Sequence, residues 1–315
     1  YLGGGYSLAV SNGTTAIEIA LRALGIGQGD EVLVPNFTFA ATINAVINSK
    51  AIPKLVDIDR DTWTIDVNQI KKNITNKTKA IIPVHVYGQS AHSDEIRKIA
   101  KKYKLFIVED CAEALGGFYK NKPIGRKGDA STFSFYPNKL ITTGEGGMVV
   151  FKDKKIFNIA KKLRNQGRST SKIFWHDFVG FNFRMTNIQA AIGVAQLDRI
   201  DSFIKSRKKV FTIYDTLFKK HDDILLLPKN KWSQNSLWLY TILITSLNEV
   251  KRDLLIKKLA KLGIETRPGF YPINTMDPYK KYGKGRYPNT NKISYISVSL
   301  PSSTTLKRQD ITHIY

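Results

Sequence analysis

One lysine lies between two strand-like segments in the stretch from residue 129 to residue 150. The loop around Lys139 also holds two threonines and three glycines, and an apolar strand-like run follows it. A solvated loop lysine is the ordinary interpretation. The glycines instead indicate unusual dihedral angles or the close approach of a ligand. A desolvated lysine loses its proton more easily and can form a Schiff base, so Lys139 is a candidate catalytic residue.

A carboxylate ends another apolar run, in which Val108 is followed by Glu109 and Asp110. One interpretation is a cap on a helix that begins there, because aspartate accepts hydrogen bonds from the first free N–H groups. The other is a charge partner for a cationic ligand atom. Since parallel sheets bind ligands at the carboxyl ends of their strands, Asp110 stands where such a partner is expected.

Two weaker features complete the set. Gly13 and Thr14 open a predicted helix, whose free N–H groups can bind phosphate, although a plain capping turn has the same pattern. Neither a Walker loop nor a G-x-G-x-x-G fingerprint is present at this point. Phe39 follows a strand and can either stack on a planar cofactor or pack in the core. A lysine, a carboxylate, a phosphate cup and a stacking ring together match the needs of pyridoxal phosphate (PLP).

The elements that position these residues alternate in type. Amphipathic helices separate short apolar runs, and residues 94–103 place Ile96, Ile99 and Ala100 on one helical face after a plausible cap at Ser93. This alternation predicts an α/β fold with a largely parallel sheet. The predicted strands are Glu31 to Val34, Ile52 to Val56, Ala80 to Val84 and Leu105 to Val108.

The pattern changes after residue 150. Helices are predicted over 152–164, over 188–207 with a continuation to 220, and over 249–262, with a strand over 238–244. We therefore predict a large domain over residues 1–200 and a smaller α+β domain over 201–315. We find no internal repeat and no low-complexity linker.

The net charge of +23, from 49 basic and 26 acidic residues, raises the possibility of nucleic-acid binding. The basic residues are dispersed as lysine pairs, and no zinc, helix-turn-helix or RNP signature accompanies them, so we expect no nucleic-acid partner. The single cysteine, Cys111, excludes an internal disulfide and a cysteine-based zinc site, and we expect no metal. No apolar run is long enough for a bilayer and no signal peptide is visible, which favours a cytoplasmic protein.

Nearly the whole chain resembles the DegT/DnrJ/EryC1/StrS sugar aminotransferases, which are PLP enzymes of fold type I. Within that family it is most similar to the perosamine synthase group, through residues 175–177 and 270–272. The stretch 132–150, with Asn138 before Lys139 and the threonine and glycine run after it, is the most specific match. The other matching stretches are 11–14, 35–42, 56–59, 83–89, 109–117, 180–187 and 265–268.

The resemblance implies a function for each matching residue. Lys139 would bind the cofactor covalently and move a proton, and Asp110 would pair with the pyridinium nitrogen. Glu113 would lie near the phenolic oxygen and Phe39 would stack on the ring. The phosphate ligands would be Gly13, Thr14 and Ser134.

The remaining implied residues concern the partner subunit and the substrate. Asn182 matches a residue that reaches the phosphate of a neighbouring subunit, which implies a homodimer with shared sites. Arg267 is the basic residue that we assign to the substrate. Two residues depart from the family pattern: Pro137, where many relatives have glycine, and Gly269, where relatives often have a bulky side chain. Relatives also usually carry several tens of residues before the segment that opens at Tyr1, so an earlier segment is expected.

The implied reaction is transfer of an amino group from L-glutamate to a nucleoside-diphosphate-4-keto-6-deoxyhexose. Sugar 3-dehydratases of the family carry histidine at the position of Lys139, so the lysine favours transamination. The nucleotide stays open between GDP and UDP or dTDP. The alternatives are a 3-aminotransferase of the same family and a non-catalytic PLP-binding relative.

Overall fold

The computed structural model describes residues 1–315, which form strands, α-helices and short 3₁₀ turns. The strands are β1 (Tyr6–Val10), β2 (Glu31–Pro35), β3 (Ile52–Val56), β4 (Thr78–Ile81), β5 (Phe106–Asp110), β6 (Phe118–Tyr119), β7 (Lys122–Pro123), β8 (Ala130–Ser134), β9 (Gly147–Phe151), β10 (Ile224–Leu225), β11 (Ser233–Gln234), β12 (Tyr240–Ile244), β13 (Arg267–Pro268) and β14 (Ser297–Leu300). The helices are α1 (Gly13–Ala23), α2 (Ala40–Asn48), α3 (Val67–Asn73), α4 (Ser93–Tyr103), α5 (Lys154–Arg164), α6 (Asn187–Leu197), α7 (Ile200–Phe218), α8 (Glu249–Lys261), α9 (Pro288–Ile296) and α10 (Arg308–Ile314).

Seven strands build a central mixed sheet in the order β1-β9-β8-β5-β4-β2-β3. The pairs from β8 to β3 are parallel, whereas β9 runs antiparallel to both of its neighbours. The prediction of an α/β fold with a mostly parallel sheet is therefore confirmed. Strand β4 ends at Ile81 rather than at the predicted Val84, because Pro83 has no N–H to continue the ladder.

One edge of this sheet collects the ends of three strands. Gly147 pairs with both Val10 and Ser134, and Asp110 pairs with Thr132. Strands β1, β5 and β8 run in the same direction, so their carboxyl ends meet at this edge. The start of α1, the end of β5 and the loop after β8 are thereby brought together, as expected for the ligand-binding edge of such a sheet.

Two predicted helix features are wrong. Ser93 is not the cap of α4, because the helix already includes it and its hydroxyl donates to the carbonyl of Ala91 at 3.2 Å. The predicted continuous helix from 188 to 220 is interrupted between Leu197 and Ile200. The turn buries Ile200 against Leu140, whereas Leu197 at the end of α6 stays exposed.

A second sheet, β10-β12-β14-β13, belongs to the C-terminal part together with α7 to α10, and β11 joins β6 and β7 in a third. The boundary at residue 200 stays a prediction. Residues 273–287 return to the first part of the chain, where Ile273, Tyr279 and Tyr287 join the core formed by α1 and the central sheet. No helix has both the length and the apolar character needed to cross a membrane.

Candidate active site

The loop between β8 and β9 is closed by hydrogen bonds that fix the position of Lys139. The Lys139 amide donates to the carbonyl of Tyr136 at 3.0 Å, and the Thr143 amide donates to that of Phe135 at 3.0 Å. The first bond closes a four-residue turn with Pro137 in its second position. Proline is favoured there because its fixed φ matches the turn. Pro137 therefore fits the turn that presents the lysine.

The Lys139 side chain is half-buried and lines a cleft. Its Nζ lies 3.7 Å from the ring centroid of Trp238. Glu113 and Ser134 line the same narrow cleft. Burial lowers the pKa of Lys139, and the carboxyl groups of Glu113 and Asp110 oppose this effect. The interpretation of Lys139 as a solvated loop residue is therefore wrong.

Asp110 is a buried carboxylate at the end of β5, with only 4% of its surface exposed. The Thr42 hydroxyl donates to Oδ2 at 2.8 Å and the Ala112 amide donates to Oδ1 at 3.1 Å. Burial raises the pKa of Asp110, and these two hydrogen bonds oppose the rise. No helix begins after Asp110, since residues 111–117 form turns, so the capping interpretation is wrong.

Glu113 follows in these turns and is also buried. The Tyr87 amide donates to its Oε2 at 2.6 Å. Burial raises the pKa of Glu113 to about 7, although the charge of Lys139 and the Tyr87 amide act in the opposite direction. Tyr87 holds this position with a left-handed backbone of φ 49°, which costs free energy in a non-glycine residue and marks a constrained site.

The start of α1 is both capped and open to an anion. Asn12 Oδ1 accepts from the Thr15 amide at 2.9 Å, and Thr15 Oγ1 accepts from the Asn12 amide at 3.2 Å. The amides of Gly13 and Thr14 have no acceptor within the protein, as is usual in the first turn of a helix. A Cβ at Gly13 would lie 2.9 Å from the Cβ of Ser134, so only glycine allows this close approach. The capping turn and the phosphate cup are thus the same structure.

The other three predicted residues are exposed. Phe39 immediately precedes α2, and 62% of its surface is accessible. The alternative interpretation, that Phe39 packs in the core, is therefore wrong. Asn182 is exposed beside Phe183, whose carbonyl accepts from the Ser11 amide at 2.9 Å. Arg267 pairs with Glu265 at 2.7 Å on the surface. The contacts within one chain join Lys139, Asp110 and Glu113 but do not bring Asn182 or Arg267 to them.

The structure adds three residues that sequence reasoning did not identify. Thr42 lies one turn after Phe39, on the buried face of α2, and a hydroxyl among the apolar residues of that face was the available signal. Tyr87 and Trp238 gave no such signal, because an aromatic residue in an apolar context is indistinguishable from ordinary core.

These groups fit pyridoxal phosphate. Asp110 is a buried carboxylate that forms no salt bridge, although the charge of Lys139 acts on it, so it suits a cationic ring nitrogen. The open amides of Gly13 and Thr14 suit a phosphate. Lys139 lies in the same cleft as Ser134, which adjoins that cup. The fold and this donor set define a PLP-dependent aminotransferase of fold type I.

Comparison with known proteins identifies the family. The family model for DegT/DnrJ/EryC1/StrS aminotransferases matches residues 1–315, and the chain belongs to this family. It is 44% identical over 312 residues to the GDP-perosamine synthase of Escherichia coli O157:H7, covering 98% of this chain and 84% of that protein. It is 41% identical over 303 residues to the GDP-perosamine synthase of Vibrio cholerae, covering 94% and 81%.

A solved structure supports the same assignment. The sugar aminotransferase Spr1654 of Streptococcus pneumoniae has been solved in PLP and PMP forms. This chain superposes on it with a TM-score of 0.93 at 30% identity, covering 98% of this chain and 84% of that one. The chain is therefore a PLP-dependent sugar aminotransferase.

Proposed function

We propose that the protein transfers an amino group from L-glutamate to C4 of a GDP-linked 4-keto-6-deoxyhexose, giving a 4-amino-4,6-dideoxy sugar nucleotide of the perosamine type. The observation that carries this proposal is that one site holds both Lys139, which lines the cleft, and the buried Asp110 carboxylate, whose charge acts on that lysine. Its specificity for C4 and for GDP rests on the similarity to GDP-perosamine synthases at 40–44% identity. Amination at C3 is not favoured by these relatives.

The cofactor, when bound, supplies an electron-accepting ring that carries the amino group between donor and acceptor. Asp110 would hold the ring nitrogen in its protonated state, since a buried carboxylate gains most from a cationic partner. Glu113 would face the phenolic oxygen. Lys139 would hold the cofactor and, once released from it, move a proton at the amine-bearing carbon. Its lowered proton affinity suits this exchange.

The phosphate would be held at the start of α1. Gly13 and Thr14 offer backbone amides, the helix dipole favours negative charge, and Ser134 offers a hydroxyl next to Gly13. Phe39, exposed at the entrance to α2, would cover one face of the ring.

The active enzyme would be a homodimer. Helix α6 is rich in apolar residues yet buries none of them, with Ile188 at 77% and Val194 at 62% exposure. Exposed apolar surface of this kind marks an interaction site. The helix also lies against the lysine loop, because Gln196 accepts from the Thr142 amide at 3.4 Å. A second copy covering α6 would therefore adjoin the active site and could bring its Asn182 to the phosphate.

The substrate residue would be Arg267, whose guanidinium stays accessible despite its partner Glu265. An arginine suits the diphosphate or the glutamate carboxylates because it binds such groups in a bidentate manner. We also propose a cytoplasmic location, since the one cysteine, Cys111, is free and buried and suits a reducing compartment.

A substrate panel tests the proposal. The enzyme, PLP and L-glutamate are incubated with GDP-, UDP- and dTDP-linked 4-keto-6-deoxy sugars, and the products are identified and quantified by mass spectrometry. We expect amination of the GDP sugar to exceed that of the others by at least about tenfold, a difference of about 1.4 kcal/mol in transition-state binding. Preferred amination of a UDP or dTDP sugar would refute the GDP assignment.

A further inference from the structure

Trp238 contacts the catalytic lysine from a distant part of the chain. Its ring centroid lies 3.7 Å from Lys139 Nζ, and its indole N–H donates to the carbonyl of Asn138 at 2.9 Å. The hydrogen bond orients the ring relative to the residue that immediately precedes the lysine. Trp238 is 5% exposed, so the contact is largely shielded from water. Cation–π attraction is strongest for tryptophan and increases when water is excluded.

A second contact of this ring is also aromatic. Tyr87 stacks on Trp238 with centroids 6.0 Å apart and an interplanar angle of 17°, and Phe270 stacks on Tyr87 at 5.3 Å and 5°. Tyr87 is held in turn by two hydrogen bonds: its backbone N–H donates to Glu113 Oε2 at 2.6 Å, and its hydroxyl accepts from the Phe270 amide at 3.2 Å. The ring below the lysine therefore has little freedom to move.

We propose that Trp238 is the positioning residue for Lys139, holding its ammonium group over the indole face in the cofactor-free protein. This inference rests on the proposed function of Lys139 and deepens it. The ring gives this ammonium group a fixed contact and favours its protonated state. The ionisable groups that face the lysine are the carboxyls of Glu113 and Asp110, which act in the same direction.

The test measures the lysine itself and needs no sugar. The full chain, freed of cofactor, is acylated briefly over pH 7–10, and modification of Lys139 is followed by peptide mass spectrometry. In Trp238→Leu the ammonium loses its aromatic partner, so we expect acylation at pH 8 to be about fivefold faster than in wild type. Trp238→Phe keeps a ring face and should fall between them.

The matched control is Trp232→Phe, which changes a tryptophan that contacts His92 and Tyr119 and not the lysine. Its acylation profile should equal that of wild type. Superimposable profiles for wild type and Trp238→Leu would overturn the proposal. If circular dichroism shows that Trp238→Leu does not fold, Trp238→Phe becomes the test. An acylation profile of Trp238→Phe equal to that of wild type would then overturn the proposal. A negative result in this experiment does not bear on the proposed amination at C4, because the experiment measures no turnover.

Discussion

The hydroxyl of Thr42 lies 2.8 Å from Asp110 Oδ2 and joins the first turn of α2 to the end of β5. Thr38 lies behind it, with its hydroxyl 3.0 Å from that of Thr42. The carboxylate thus receives one side-chain hydrogen bond and one from the backbone, and it forms no salt bridge, although the charge of Lys139 acts on it. Its environment is that of a buried charge that awaits a cationic ligand.

Thr42→Val tests this contact. Loss of a hydrogen bond to an ionised group raises the pKa of Asp110 further and weakens its attraction for the cofactor ring. We expect about tenfold weaker cofactor binding, measured by absorbance during dialysis. The control is Thr64→Val. It removes a buried hydroxyl that is hydrogen-bonded to the Thr62 hydroxyl (2.9 Å) and takes no part in these contacts. Equal cofactor affinity in the two variants would contradict the function assigned to Thr42.

Asp110→Asn tests the charge while preserving the shape of the side chain. The amide cannot hold a protonated ring nitrogen, so the bound cofactor becomes a weaker electron acceptor. We expect the variant to retain cofactor but to lose at least about 100-fold in kcat, the size of effect seen when one electrostatic group is removed. Turnover within twofold of wild type would refute the assignment.

Glu113 predicts a pH dependence of stability. Its pKa in the fold is about 7, above the ordinary value of 4.5, so the folded protein binds this proton more tightly than the unfolded chain does. Stability from this group is therefore fully present below pH 4.5 and is lost as the pH rises to about 7.

Urea unfolding of the cofactor-free protein measures this effect. Over that pH range we expect the free energy of unfolding to fall by roughly 2 kcal/mol more in wild type than in Glu113→Gln, which cannot ionise. The same slope in both proteins would show that Glu113 does not carry a raised pKa.

Local signals in the sequence were enough for the central sheet and for part of the site. The predicted and observed bounds of strand β3 are identical. Asp110 is predicted from a local signal, a polar residue at the end of an apolar strand, and Lys139 from another, a glycine-rich loop. The contact of Trp238 with Lys139 joins residues 99 positions apart in the chain, and periodicity carries no information about such a contact. The break after α6 depends on burial of Ile200, a tertiary effect that helical periodicity does not show.

Gly269 shows how structure explains a departure from a family pattern. A Cβ at this position would lie 1.8 Å from Ser297 Oγ and 3.4 Å from the Tyr87 hydroxyl. A bulky side chain therefore cannot be added here unless Ser297 moves. The sequence showed only that the residue is unusual, because the partner that requires glycine lies on β14.

The apolar face of α6 predicts a dimer that one charge can break. Ile188→Glu places a carboxylate where a second copy would bury it, which costs several kcal/mol. We expect wild type to sediment as a dimer and this variant to dissociate at least about 100-fold more readily. Val250→Glu, at a residue of 69% exposure on α8, should remain dimeric. A monomeric wild type would contradict the shared-site proposal.

The destination of the amino group tests the proposed function most directly. The enzyme is supplied with PLP, ¹⁵N-labelled L-glutamate and a GDP-linked 4-keto-6-deoxy sugar, and the product is examined by ¹H–¹⁵N NMR, with Lys139→Ala in parallel. We predict that wild type places the label on C4 of the sugar and that Lys139→Ala transfers none. Label on C3, or full transfer by Lys139→Ala, would contradict the assignment of this chain as a lysine-dependent sugar 4-aminotransferase.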